Sequence, residues 1–270
     1  MKFDSSRAWT QASQAVSANR EVVLALAGVF FLLPLLAFAI FFPSPETGSG
    51  MSEQQMMQVV RTYYASAAPA MLPLALLQAL GTLSLLCLLD ARQRPTVGGA
   101  IKAGLKGLLP YLVAQVLMML AMGAIALVVV GGFGAAGGVV GMLVGLAIVG
   151  VVLSVLSVRL SVVAPAIATE HVFNPAAALA RSWALTRGNT ARLLGFYTLL
   201  VVAMVVVMIF ASVLTIPISL VLPVEAARLV SAVVQSILTT GTVIYSVAVL
   251  AQVHEQLVDG TPEAVAGTFE

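Results

Sequence analysis

Charge is what this chain has least of: Asp, Glu, Lys and Arg make up 9% of its 270 residues, against about 25% in a soluble globular domain. A surface facing water on every side cannot be covered with so little, so an ordinary soluble domain is excluded. Histidine occurs twice and cysteine once, at Cys87 inside an apolar run. That excludes an intramolecular disulfide and a thiolate metal cluster. The net charge of +2 is far from the strongly basic balance of a nucleic-acid binder. Asp, Glu, Lys and His are missing from the middle of every long apolar run, and these are the residues that mark proton relays and ion pathways in coupled transporters. What is abundant is hydrocarbon: 60% of residues are hydrophobic, and the mean hydropathy is +1.06.

A lipid core of about 30 Å takes roughly 20 helical residues to cross, and only helices or closed barrels satisfy their backbone groups there. Six runs have that length: Val22 to Phe42, Ala65 to Leu89, Tyr111 to Val130, Val139 to Val163, Leu193 to Leu214 and Ala227 to Val253. They are continuous rather than alternating, which predicts an all-α integral membrane fold, a six-transmembrane-helix bundle forming one domain over residues 1–270. The first run is too long for the core of a cleaved signal peptide and is expected to be retained. Eleven of the thirteen Lys and Arg fall before the first run, between runs two and three, or at the end of run four and in the connection to run five; Arg61 and Arg228 fall on the other side. Basic residues stay cytoplasmic during insertion, so both termini are expected inside, with the acidic tail from 255 onward.

Ahead of the first, third and fifth runs stands a similar pattern, a short amphipathic helix followed by a stop. It predicts three cytoplasmic interfacial helices and a threefold internal repeat, with units of approximately 1–89, 90–163 and 164–254. In the first unit Asp4 or Ser5 caps a helix with Trp9, Ala12 and Val16 on one face, and Asn19 ends it. In the second Thr96 caps a helix carrying Val97, Ile101, Leu105 and Leu108, with Lys102 and Lys106 as a basic stripe and Pro110 at the start of the next span. In the third Asn174 and Pro175 read as N-cap and first residue, and Gly188 and Asn189 as the stop. Lys102, Lys106 and Arg187 are then placed to meet anionic lipid headgroups.

Residues 159–189 combine Arg159 at the end of an apolar span, Pro165, Glu170, and an Ala-rich segment reaching Arg181, Ser182, Leu185 and Gly188. This stretch resembles the signature of the glycerophosphoryl diester phosphodiesterase membrane-domain family and related bacterial inner-membrane proteins. The resemblance implies a bacterial inner-membrane location. It does not imply hydrolysis, because the His-Arg-Gly start of the hydrolase is absent: His171 is followed by Val172 and Phe173.

The candidate residues are few. Arg159 and Glu170 lie on nearly one helical face but about 16 Å apart in rise, so pairing needs a break, which Pro165 is expected to supply. They are expected to fix the third amphipathic helix against the bundle, with Asp90 and Arg181 as alternative partners and Ser182 and Trp183 on the same interaction rim. Glu170, His171, His254, Glu255 and Asp259 lack the spacing of a metal site, and neither metal nor cofactor is expected. Gly132, Gly134 and Gly137 match the letters of a dinucleotide fingerprint without its strand and helix. Gly137, Gly141 and Gly145 instead form a stripe for close helix packing, within one subunit or in a homo-oligomer. Gln78, Gln115, Gln235 and Thr239, Thr240 and Thr242 are expected to bond between helices. With no nucleophile, base and orienter together, the expected role is non-enzymatic: support of envelope or lipid homeostasis, with membrane lipids and a protein at the cytoplasmic face as partners and no nucleic acid. The alternative is a transporter or permease-like component for an apolar or lipid-like substrate, which a lateral cavity between the fifth and sixth runs would favour.

Overall fold

The computed structural model describes residues 3–43, 45, 50–90 and 95–260. Every regular element among them is helical: α1 (Ser5–Ala18), α2 (Arg20–Ala27), a π-helical turn (Gly28–Leu32), α3 (Leu33–Phe41), α4 (Glu53–Leu89), α5 (Val97–Arg159), α6 (Val163–Ala168), α7 (Pro175–Thr186), α8 (Thr190–Val221) and α9 (Val224–Asp259). Five helical stretches are long and apolar enough to cross a membrane: Arg20–Phe41, Glu53–Leu89, Val97–Ala168, Thr190–Val213 and Val224–Asp259. Only 11% of the most apolar windows of the third and fourth is buried within the protein, and side chains such as Leu127, Val139, Leu199 and Phe210 stand exposed. Apolar surface of that extent is stable only in lipid, and the chain is a membrane protein.

The third and fourth predicted runs lie within one helical stretch, interrupted at Gly138 with φ 57° and ψ −138°. A Cβ built on Gly145 would stand 3.1 Å from the Cα of Val130. In an unbroken helix those two residues would be about 22 Å apart along the axis, so the chain turns back on itself at Gly138. Gly141 lies against the Phe133 carbonyl in the same hairpin, whereas Gly137 faces open space. The packing stripe is therefore Gly141 and Gly145, and the neighbour of Gly137 makes the turn.

Three boundaries differ from expectation for identifiable reasons. The second span begins twelve residues early, at Glu53, because Ser52 and Gln55 form a reciprocal capping box that extends a polar turn onto the apolar run. Thr96 accepts from the Gly99 amide, but the helix it opens runs through Pro110 into the next span without a stop. Proline there removes one backbone bond while its neighbours stay helical. Before α6 the break falls at Leu160–Val162, and Pro165 is buried in the first turn of α6, where its missing N–H is not needed.

The core gathers where α4 and α9 both finish: Phe31, Leu83, Leu86, Ile167, Leu193, Val249 and Val253 are fully buried there. Pro34 shapes one wall of it. Its ring displaces the carbonyl four residues back, and the chain responds with a π turn in which the Leu33 amide reaches the Gly28 carbonyl. Phe30 and Phe31 on that turn press against Gly81, where an added Cβ would lie 2.6 Å from Phe30 Cβ and 2.7 Å from Phe31 Cε2. Gly81→Ala is expected to cost about 1–3 kcal/mol by overpacking, read as a lowered midpoint of thermal unfolding in detergent; an unchanged midpoint would refute this contact.

Candidate functional site

Asn174 caps α7 by accepting from the amides of Ala176 and Ala177, and Pro175 supplies the preset φ of the first turn. Gly188, at φ 89°, turns the chain from α7 into α8. Between those fixed ends α7 presents Ser182 and Thr186 toward the end of α5 and Arg181 toward Glu170. The Ser182 hydroxyl donates to the Arg159 carbonyl at 2.9 Å and Thr186 to the same oxygen at 3.2 Å. That carbonyl belongs to the last turn of α5, so two buried hydroxyls satisfy an acceptor the helix itself leaves open. The Arg159 guanidinium lies 4.7 Å from the centre of the Trp183 ring, a cation–π contact, while its Nε and Nη1 are buried without a hydrogen-bond partner.

Arg159 and Glu170 thus act at different places. Glu170, on the loop before α7, receives Arg181 Nε on one carboxylate oxygen at 2.8 Å and His254 Nε2 on the other at 2.7 Å. Arg181 belongs to α7 and His254 to α9, so one carboxylate ties two helices together. The His254 side chain is 8% exposed, Glu170 22% and Arg181 31%. Burial by itself would raise the Glu170 carboxyl; the hydrogen bonds from His254 and Arg181 outweigh it and hold the group below the ordinary carboxylate range. Sequence reasoning named Arg181 among the alternative partners and missed the pairing with His254. The only signal was a histidine following a long apolar run.

Asp90 does not stand on α7. It lines a cavity of about 270 Å³ with Thr169, Glu170, His254 and Glu255. Among the described residues no group of three His, Cys, Asp or Glu side chains is arranged to hold a metal ion. Trp183, 44% exposed, and Arg187 complete the outer side of the rim, and Lys102 and Lys106 are exposed on the first turns of α5.

The first helix is docked rather than merely laid beside the bundle. Asp4 caps it by accepting from the Arg7 amide; the Phe3 amide donates to the Asn189 side chain at 3.0 Å and the Asp4 amide to Gln256 at 3.3 Å. Ala8 and Ala12 are fully buried, and Trp9 stacks on Tyr245 of α9 at 6.1 Å. Of the polar residues within the spans, Gln235 donates between helices, to Met208 of α8 at 3.7 Å, whereas Gln115 donates to Tyr111 of its own helix at 2.6 Å.

No family model, curated protein or solved structure matches this chain.

Proposed function

We propose that the chain is a six-crossing, non-enzymatic protein of a bacterial inner membrane that supports envelope or lipid homeostasis, holding α7 and its neighbours as a fixed shelf against lipid headgroups or a protein. The observation that carries this reading is the clamp at Glu170. A loop that merely joined two spans would not need both carboxylate oxygens engaged by two different helices. The reversal at Gly138 supports six crossings, because it divides one apolar stretch into two arms. An even number of crossings would return both ends to one side, and the clustering of basic residues favours the cytoplasm. The capped starts of α1, α5 and α7 support the repeated unit.

With Lys102, Lys106 and Arg187 each worth about 1 kcal/mol at an anionic surface, replacing all three with Gln is expected to weaken enrichment of anionic lipid around the purified protein by about fivefold per residue. Native mass spectrometry of protein released from mixed-lipid nanodiscs measures it. Unchanged enrichment would remove the headgroup reading. A second reading, handling of an apolar or lipid-like substrate, is favoured by a cavity between α8 and α9.

A further inference from the structure

From the start of α5 to the end of α8 the chain carries a single carboxylate, Glu170, against six cations: Lys102, Lys106, Arg159, Arg181, Arg187 and Arg192. Both oxygens of that carboxylate are taken, by Arg181 and His254. Arg159 is the cation that the fold holds in a built place without a counter-charge. The Ser182 and Thr186 hydroxyls hold α7 on the last turn of α5, and Trp183, between them in sequence, is thereby set against the Arg159 guanidinium at 4.7 Å. The ring stabilises the charge but offers no oxygen to its donors. Nε and Nη1 are buried without a hydrogen-bond partner, and Arg159 forms no ion pair among the described residues. Unmet buried donors of a charged group are costly. Arg159 as a whole is only partly buried, and Nη2 is the nitrogen left open to the outside. Because Nη2 belongs to both forked edges of a guanidinium, a phosphate that meets it needs only a small turn of the side chain to engage Nε or Nη1 as well.

We propose that Arg159, seated on Trp183, is a specific site for the phosphate of an anionic phospholipid. This deepens the headgroup reading and rests on it for any role in holding the shelf. Depth favours a lipid: Val151 and Val152 stand exposed on α5 about 10–12 Å before Arg159, and Trp183 is an exposed aromatic of the kind that settles at the headgroup level. The guanidinium thus lies where hydrocarbon gives way to phosphate. A zwitterionic head would bring an ammonium to a place whose one carboxylate is already engaged, so a head with net negative charge is preferred. The site is separate from the cavity of about 600 Å³ that Ala39, Ala211, Ala227 and Ala232 hold open between α3, α8 and α9, since Ala211 stands about 32 Å along α8 from Thr190, close to the end of α7.

The test uses the full-length protein with Trp9→Phe, which keeps a ring on Tyr245 and leaves Trp183 as the only tryptophan. In phosphatidylcholine nanodiscs, chain-brominated phosphatidylglycerol or phosphatidylethanolamine is titrated in, and quenching of Trp183 reads occupancy beside it. Phosphatidylglycerol is expected to bind there about tenfold more tightly, the worth of one charge-assisted hydrogen bond. Arg159→Gln is expected to bring the two lipids level. Arg159→Lys, for use if the first variant does not unfold cooperatively, keeps the charge without the planar fork and is expected to lose several-fold of the preference. Inorganic phosphate is expected to displace no more lipid than chloride of the same ionic strength. Equal quenching by the two lipids would overturn the proposal and leave an acidic protein segment as the occupant. A preference unchanged in a folded Arg159 variant, or abolished by inorganic phosphate alone, would overturn it as well. Enrichment measured on the Lys102, Lys106 and Arg187 variant is a separate readout: its loss alongside equal quenching at Trp183 would strike the site and keep the headgroup reading, while unchanged enrichment with the preference intact would do the reverse.

Discussion

Glu170→Lys is expected to abolish most of the folded, detergent-extractable protein, the largest loss for any single charge in the chain. The carboxylate is the partner of both His254 and Arg181. Its reversal places an ammonium beside a guanidinium and strands the imidazole, 8% exposed, with no acceptor. Breaking a fully buried pair costs about 3–5 kcal/mol; Arg181, about a third exposed, can turn to water, so Glu170→Ala is expected at about 2–3 kcal/mol, with His254 accounting for most of it. Glu170→Gln keeps an acceptor toward His254 and is expected to lose about 1 kcal/mol. The pH dependence has a definite sign. Because the folded-state carboxyl lies below its unfolded value of about 4.3, the pair contributes fully above that value and loses its contribution as pH falls through the lowered one. Acid unfolding followed by tryptophan fluorescence should show this component in the native chain and not in Glu170→Gln. A Glu170→Lys protein with native yield and midpoint would refute the clamp.

The second large effect is expected at the α5 hairpin, where two glycines are required for different reasons. Gly138 has open space around its Cβ position but φ 57° and ψ −138°, a combination that a side chain resists at a cost of about 1–3 kcal/mol. Gly141 has an ordinary helical backbone, but a Cβ there would overlap the Phe133 carbonyl, and backbone cannot step aside as a flexible side chain can. Gly138→Ala and Gly141→Ala are each expected to lower the unfolding midpoint, Gly141→Ala by the larger amount. The double variant should fall short of the sum, since opening the hairpin relieves both strains at once. Gly137→Ala, facing open space, is the control and is expected to be neutral. If Gly141→Ala were as mild as Gly137→Ala, the two arms would not approach each other as described.

The helical class and the membrane were legible because lipid imposes both: scarce charge and continuous apolar runs leave no other solvent. Helix ends set by local chemistry were legible too, at Asp4, Asn174, Pro175 and Gly188, since a cap acts within four residues of itself. Ser52 and Gln55 carry an equally local signal, but it lies in a polar turn ahead of the apolar run, where hydropathy does not mark a span. The pairing of Glu170 with His254 was not legible, because 84 residues separate them and the register of α9 against α7 is set by packing rather than by any motif. The same holds for the α8–α9 cavity. Small residues along a span announce a close approach as readily as a gap, and only the placement of α3 decides between them.

The central claim is that the Val97–Ala168 stretch crosses the membrane twice, and side-specific labelling of single cysteines tests it directly. With Cys87→Ser as background, Lys102→Cys, Ala135→Cys and Arg187→Cys would be exposed to an impermeant maleimide in right-side-out and inverted vesicles. Two crossings predict that positions 102 and 187 label from one side and position 135 from the other. Labelling of 102 and 187 from opposite sides would mean a single crossing and would contradict the account.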